Sequence, residues 1–131
     1  MKAKAIFEKN LNITLVPEYK YLVGNSKKNH SFDLVSVDET VFIECKYRSW
    51  SVGEIKKVSS GSRKSINEDI LHLMLLDKDK RKIICLNKTE ELNNLGLTYA
   101  QEYFRHYSYL FGEEIELYEI TEDSMNRIIS D

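Results

Sequence analysis

Cysteine is scarce in this chain of 131 residues, with only Cys45 and Cys85 present. Two cysteines make neither a disulfide framework nor a zinc site. Each lies in an apolar, strand-like run, so both are expected as reduced core residues of a cytoplasmic protein. No stretch approaches the about 18 consecutive apolar residues of a membrane helix. The opening MKAKAIFEKNLN lacks the apolar centre of a signal peptide, so no membrane partner and no export are expected. Proline occurs once, at Pro17, and tryptophan once, at Trp50. The three histidines, His30, His72 and His106, show no metal-ligand spacing, and His72 and His106 fall in helical patterns that read as structural or surface. Repeats and low-complexity segments are missing too. The net charge of −2 does not by itself advertise a nucleic-acid binder.

What is present is an ordinary globular composition, 42% hydrophobic and 31% charged. The length suits one domain spanning residues 1–131 that buries roughly two-thirds of its extended-chain surface. The charge is unevenly spread. Residues 1–64 hold 12 Lys and Arg against 7 Asp and Glu, whereas residues 65–131 hold 7 against 14. A basic half of this kind is what a site handling a polyanion needs, because cations neutralise phosphates and steer the encounter.

Ala3, Ile6, Phe7 and Leu11 have helical spacing over residues 2–12 and leave the lysines outside. Tyr19, Tyr21 and Val23 alternate after Pro17 as a short edge strand. A basic, turn-rich loop, Gly24-Asn25-Ser26-Lys27-Lys28-Asn29, follows. Its Lys27 and Lys28 read either as phosphate contacts or as solvated loop residues. The run after Lys46, through Arg48 and Trp50 to Lys64, is rich in serine and glycine and predicts a long loop or a broken helix. Trp50 beside Arg48 is suited to stacking on an exposed base or to lidding the core. Ser65-Ile66-Asn67-Glu68 has the capping-box form and predicts a helix over 65–76, with Arg63 and Lys64 at its N-terminus as phosphate contacts. Residues 82–86 read as a buried strand, and residues 98–111 as a helix whose stripe of Tyr99, Tyr103, Tyr107 and Leu110 is core or a dimer surface. Gly112 ends that helix, residues 115–121 alternate as a strand, and the tail from Glu122 is a short amphipathic helix or a frayed end. The order predicts an α/β fold, a mixed central sheet flanked by helices.

The stretch that organises the chain is HSFDLVSVDETVFIECKYR, from His30 to Arg48. Phe32 and Leu34 on one arm, and Val41, Ile43, Cys45 and Tyr47 on the other, predict a β-hairpin in which each arm buries one face. If Asp38-Glu39 is a two-residue turn, Val37 pairs with Thr40 and, counting outward, Asp33 faces Glu44. Glu44 and Lys46 share a face by alternation, and Asp33 joins them there. Facing carboxylates destabilise a strand pair by a few tenths to about 1 kcal/mol and call for a partner, for which a divalent cation is the natural choice. The competing reading makes Asp33 a turn-proximal surface residue and Glu44 and Lys46 a solvated strand edge.

Asp33 followed by Glu44-Cys45-Lys46 resembles the signature of the PD-(D/E)XK nuclease superfamily, with Phe32 in place of the proline that often precedes the Asp. The resemblance implies a restriction-endonuclease-like fold and a DNA endonuclease with Asp33, Glu44 and Lys46 as catalytic residues. It implies Mg²⁺, or Mn²⁺, held by Asp33, Glu44 and the Cys45 carbonyl, with Lys46 positioning water and stabilising charge. It makes Lys27, Lys28, His30, Arg48, Trp50, Arg63 and Lys64 candidates for contacting DNA. In related nucleases a Glu on the first helix reaches the metal, and Glu8 is the residue available here, although it also reads as a surface side chain. A homodimer would supply the two sites that double-strand cutting needs. The alternative is a non-catalytic nucleic-acid-binding or assembly protein that keeps the fold.

Overall fold

Helix α1 (Lys2–Leu11) leads into a three-strand meander, β1 (Leu15–Val23), β2 (Lys28–Ser36) and β3 (Val41–Lys46). Helix α2 (Ser60–Met74), β4 (Arg81–Asn87), α3 (Tyr99–Phe111), β5 (Ile115–Ile120) and β6 (Met125–Ile128) follow. The computed structural model describes residues 2–24, 28–51 and 56–129. The strands form one sheet in the order β1-β2-β3-β4-β5-β6. β1, β2 and β3 pair antiparallel, β3, β4 and β5 parallel, and β6 closes the far edge antiparallel. This is a mixed open sheet with helices on both faces. Among the described residues no helix is long and apolar enough to cross a membrane.

Two cores sandwich the sheet. Ala3, Ile6 and Phe7 of α1 pack against Leu34, Ile43, Ile83 and Cys85 on one face. Ile66, Ile70 and Leu73 of α2, with Tyr99 and Tyr103 of α3, pack against Phe42, Ile84, Leu86 and Leu117 on the other. The central strands are therefore buried on both faces, as parallel strands between helix layers are. β3 corrects the expectation of one buried face per arm, because Val41, Phe42, Ile43 and Glu44 are all buried. The tyrosine stripe of α3 is core at Tyr99 and Tyr103, both fully buried.

Four elements differ from the sequence reading, the first being the loop expected over residues 24–29, whose Lys28 and Asn29 already pair with Val23 and Leu22 as the start of β2. Helix α2 starts five residues earlier than expected, because Ser59 is its N-cap and accepts a bond from the Ser62 amide. The serines that looked like interruptions are cap and first turn, positions serine favours. Ser65 lies inside the helix and its hydroxyl instead accepts a bond from Arg48. Met74, in its last turn, is exposed. The hairpin connection is four residues, Val37 to Thr40, because the Ser36 hydroxyl accepts the Thr40 and Val41 amides and Glu39 takes a positive φ. The tail forms β6 where a helix or frayed end was expected. Its start is fixed by a Thr121–Ser124 turn, and four residues are too few for strand periodicity to show.

Candidate functional site: a carboxylate pair beside two histidines

Pairing between β2 and β3 runs Leu34 with Ile43 and Val35 with Phe42, which carries Asp33 next to Glu44 despite the longer turn. There the regular ladder stops. Phe32 packs in the α2-side core and Leu34 in the α1-side core, although two residues apart they would normally share a face. In β1, Glu18 has φ of 50°, and Tyr19 beyond it has crossed to the same side as Phe32. The register is the same before and after, Pro17 with Leu34 and Tyr19 with Phe32, so both strands change face together without an inserted residue.

This twist ties Asp33 and Glu44 together through backbone donors. The Asp33 N–H donates to Glu44 Oε1 at 2.9 Å, and the Cys45 N–H donates to Asp33 Oδ2 at 2.7 Å. The carboxylates converge, but each is also held by the other strand's backbone rather than only opposed across a ladder.

Helix α2 lies over this corner and meets it with one seam. Ser65, Asp69 and His72 are spaced i, i+4, i+7 and so share a helix face. Arg48 donates to Ser65 Oγ at 3.0 Å, Lys46 Nζ lies 3.4 Å from Asp69 Oδ2, and the His30 ring stacks on His72 at 3.7 Å. The second Glu44 oxygen, Oε2, is 3.0 Å from His30 Nε2. Lys46 attracts Asp69 by charge without the alignment of a hydrogen bond, and Asp69 Oδ2 has no hydrogen-bond partner. Arg48 Nε and His72 Nδ1 are likewise buried and unpartnered, so three of the four such atoms among the described residues lie along this seam, the fourth being Tyr99 Oη. Native structures keep such atoms few, and a concentration of them calls for an explanation.

The electrostatics are correspondingly tense. Glu44 is 3% exposed and Asp69 6%. Burial, then the neighbouring Asp69 carboxylate, pushes Glu44 up to about 9. Burial also raises Asp69, with Lys46 pulling the other way. Desolvation, then His72, lowers His30. The site holds more buried carboxylate than its one lysine neutralises. It is flanked by open clefts of about 410 Å³ beside His30 and His72 and about 490 Å³ beside Arg48 and Trp50.

Of the residues singled out from sequence, the fold brings together Asp33, Glu44, Lys46 and His30, with Cys45 joined through its amide and Arg48 one turn of α2 away. Lys28 is exposed at the start of β2, at the same end of the sheet. Lys27 lies outside the described residues. Arg63 sits on the other flank of α2 and donates to Tyr107, and Lys64 is exposed nearby. The Trp50 indole donates to the Glu91 carbonyl and its ring packs near Tyr99, so it covers the core edge. Glu8 is engaged elsewhere, accepting from the Leu15 amide and Lys4 on the α1 side. Sequence reasoning missed Asp69 and His72. The signal for Asp69 was available, since a charged residue stands three after Ile66 and four before Leu73, on the apolar stripe of the helix.

No family model, curated protein or solved structure matches the chain.

Proposed function

We propose that the chain is a cation-dependent nuclease of the PD-(D/E)XK kind, hydrolysing phosphodiester bonds in DNA. The observation that carries this reading is the reciprocal knot of Asp33 and Glu44-Cys45-Lys46 on adjacent strands, set against a second buried carboxylate, Asp69, that pairs with Lys46 by charge alone. The order of elements, a helix, three antiparallel strands, a crossover helix and a parallel strand, supports the restriction-endonuclease-like comparison. So does the position of the site at the carboxyl ends of β3 and β4, where open α/β sheets bind ligands.

The donor set fits a divalent cation. Glu44 and Asp69 are buried carboxyls that share one lysine between them, and Asp33 and the Cys45 carbonyl complete a hard oxygen set suited to Mg²⁺ or Mn²⁺. Bound there, the cation supplies neutralisation of phosphate charge and acidification of an attacking water. Lys46 holds its ammonium at the mouth of the pair, where it orients water and stabilises the charge that builds on the phosphate. Asp69 keeps Lys46 in place. Lys28 and Arg48 extend positive charge along the same end of the sheet, toward a polyanionic strand, with a homodimer supplying a second site for duplex cutting.

Purified protein incubated with plasmid and single-stranded DNA, with Mg²⁺ or Mn²⁺ and with EDTA, tests the reading. Cation-dependent cleavage that Glu44→Gln removes is expected. DNA binding without cleavage under every cation would replace it with the non-catalytic alternative.

A further inference from the structure

The hard oxygen set does not account for the two imidazoles packed against Glu44. We infer that His30, Glu44 and His72 form a ligand set for a first-row transition ion, which this site takes in preference to Mg²⁺. His30 Nε2 and Glu44 Oε2 are 3.0 Å apart, the spacing that two adjacent ligands keep when each lies about 2.1 Å from an octahedral ion. The two donor atoms are therefore already at the separation an ion on this edge requires. One donor atom from each of the three residues lies within 4.8 Å of the others. Opposite ligands of such an ion stand about 4.2 Å apart and adjacent ones about 3.0 Å, so closing His72 onto the His30–Glu44 edge takes a shift of up to about 1.8 Å.

The His72 ring is stacked on His30 at 3.7 Å with 14° between their planes, which holds its ring beside the His30–Glu44 edge. His72 joins the ion by turning about its Cβ–Cγ bond. The cleft of about 410 Å³ beside it gives room for that turn. Asp69, more than nine-tenths buried and with Oδ2 unpartnered, adds negative charge next to Glu44. Imidazole donors favour manganese through zinc over magnesium, whereas carboxylates and water alone suit Mg²⁺. His30 comes from a strand and His72 from the crossover helix, which explains why neither showed ligand spacing in the sequence.

The inference rests on the nuclease reading for its catalytic consequence and on geometry alone for ion binding. Calorimetric titration of the full chain with Mn²⁺, Zn²⁺ and Mg²⁺ tests it, together with electron spin-echo spectroscopy of the Mn²⁺ form, which reads directly bound nitrogen. Wild type should bind Mn²⁺ and Zn²⁺ at least about a hundredfold more tightly than Mg²⁺ and show imidazole nitrogen coupling. His72→Phe keeps the stack but not the donor, and it should weaken Mn²⁺ and Zn²⁺ by about tenfold to a hundredfold while leaving Mg²⁺ nearly unchanged. His72→Gln serves the same purpose should the Phe variant melt early in EDTA. Equal affinity for Mg²⁺ and Mn²⁺, no nitrogen coupling, or transition-ion binding unchanged in both variants would overturn the inference. Cleavage supported by Mg²⁺ without imidazole coupling would sink it and leave the nuclease reading standing. Imidazole coupling without cleavage would do the reverse.

Discussion

Two lysines project from the same face of the sheet at opposite ends of its parallel strands, and their surroundings are opposite. Lys82, on β4, is 1% exposed, and its ammonium donates at 3.1 Å to the Leu76 carbonyl just past the end of α2, with Glu114 at 3.8 Å. A cation there satisfies a helix-end carbonyl and complements the negative end of the helix dipole. Lys46, on β3, is half-buried at the other end and faces Asp69, Glu44 and a seam of unpartnered atoms. One lysine completes a network and the other leaves one incomplete. Burial of charge alone thus does not mark a site, whereas burial of charge that the protein fails to satisfy does.

Removing charge at the incomplete end should act on chemistry. Glu44→Gln should lower cleavage by at least about a hundredfold with a melting temperature in EDTA at or above that of wild type at neutral pH. Removing it at the complete end should act on folding. Lys82→Ala leaves the Leu76 carbonyl buried without its donor and a void where the alkyl stem packed, so urea denaturation should show a loss of about 3 kcal/mol. A Lys82 variant of wild-type stability would break the comparison from the structural side.

The same contrast predicts a pH dependence. Because the folded protein holds Glu44 at about 9, above its ordinary value of 4.5, the folded state binds a proton that the unfolded state has lost between these limits. Its contribution to stability is therefore greatest below about pH 4.5 and falls as pH rises toward 9. Carboxylates lowered by pairing, such as Glu102 and Glu116, are ionised in both states above pH 6 and add no slope there. Melting in EDTA should accordingly drop between pH 6 and 9 in wild type, and Glu44→Gln should flatten the curve. Parallel curves in the two proteins would remove Glu44 as the cause.

A smaller effect tests the partner strand. A cation that binds only the folded state stabilises it by about 2.7 kcal/mol at a hundredfold excess over its dissociation constant. Asp33→Asn should lose most of that shift while melting close to wild type in EDTA, since an amide oxygen can still accept the Cys45 N–H. Equal cation shifts in both proteins would take Asp33 out of the ligand set.

The sequence made β1 to β5, the helix order and the Asp33–Glu44 neighbourhood readable, because alternation and register are local and a change of turn from two residues to four preserved the pairing. It did not reveal the change of face at Glu18 and Asp33. That twist leaves the register intact and shows only in which core Phe32 and Leu34 enter. Nor did it reveal the α2 seam. Asp69 and His72 gain their meaning from where the crossover helix lands on β2 and β3, and serines that cap α2 resemble loop residues until Ser59 is seen accepting the Ser62 amide.

The most direct test of the contrast between the two ends is the cleavage rate per folded molecule of Lys46→Met beside Lys82→Met, with the folded fraction taken from melting in the same buffer. The account predicts loss of about a hundredfold to a thousandfold in Lys46→Met and a wild-type rate in Lys82→Met. Retained cleavage in Lys46→Met, or equal loss in both, would contradict it.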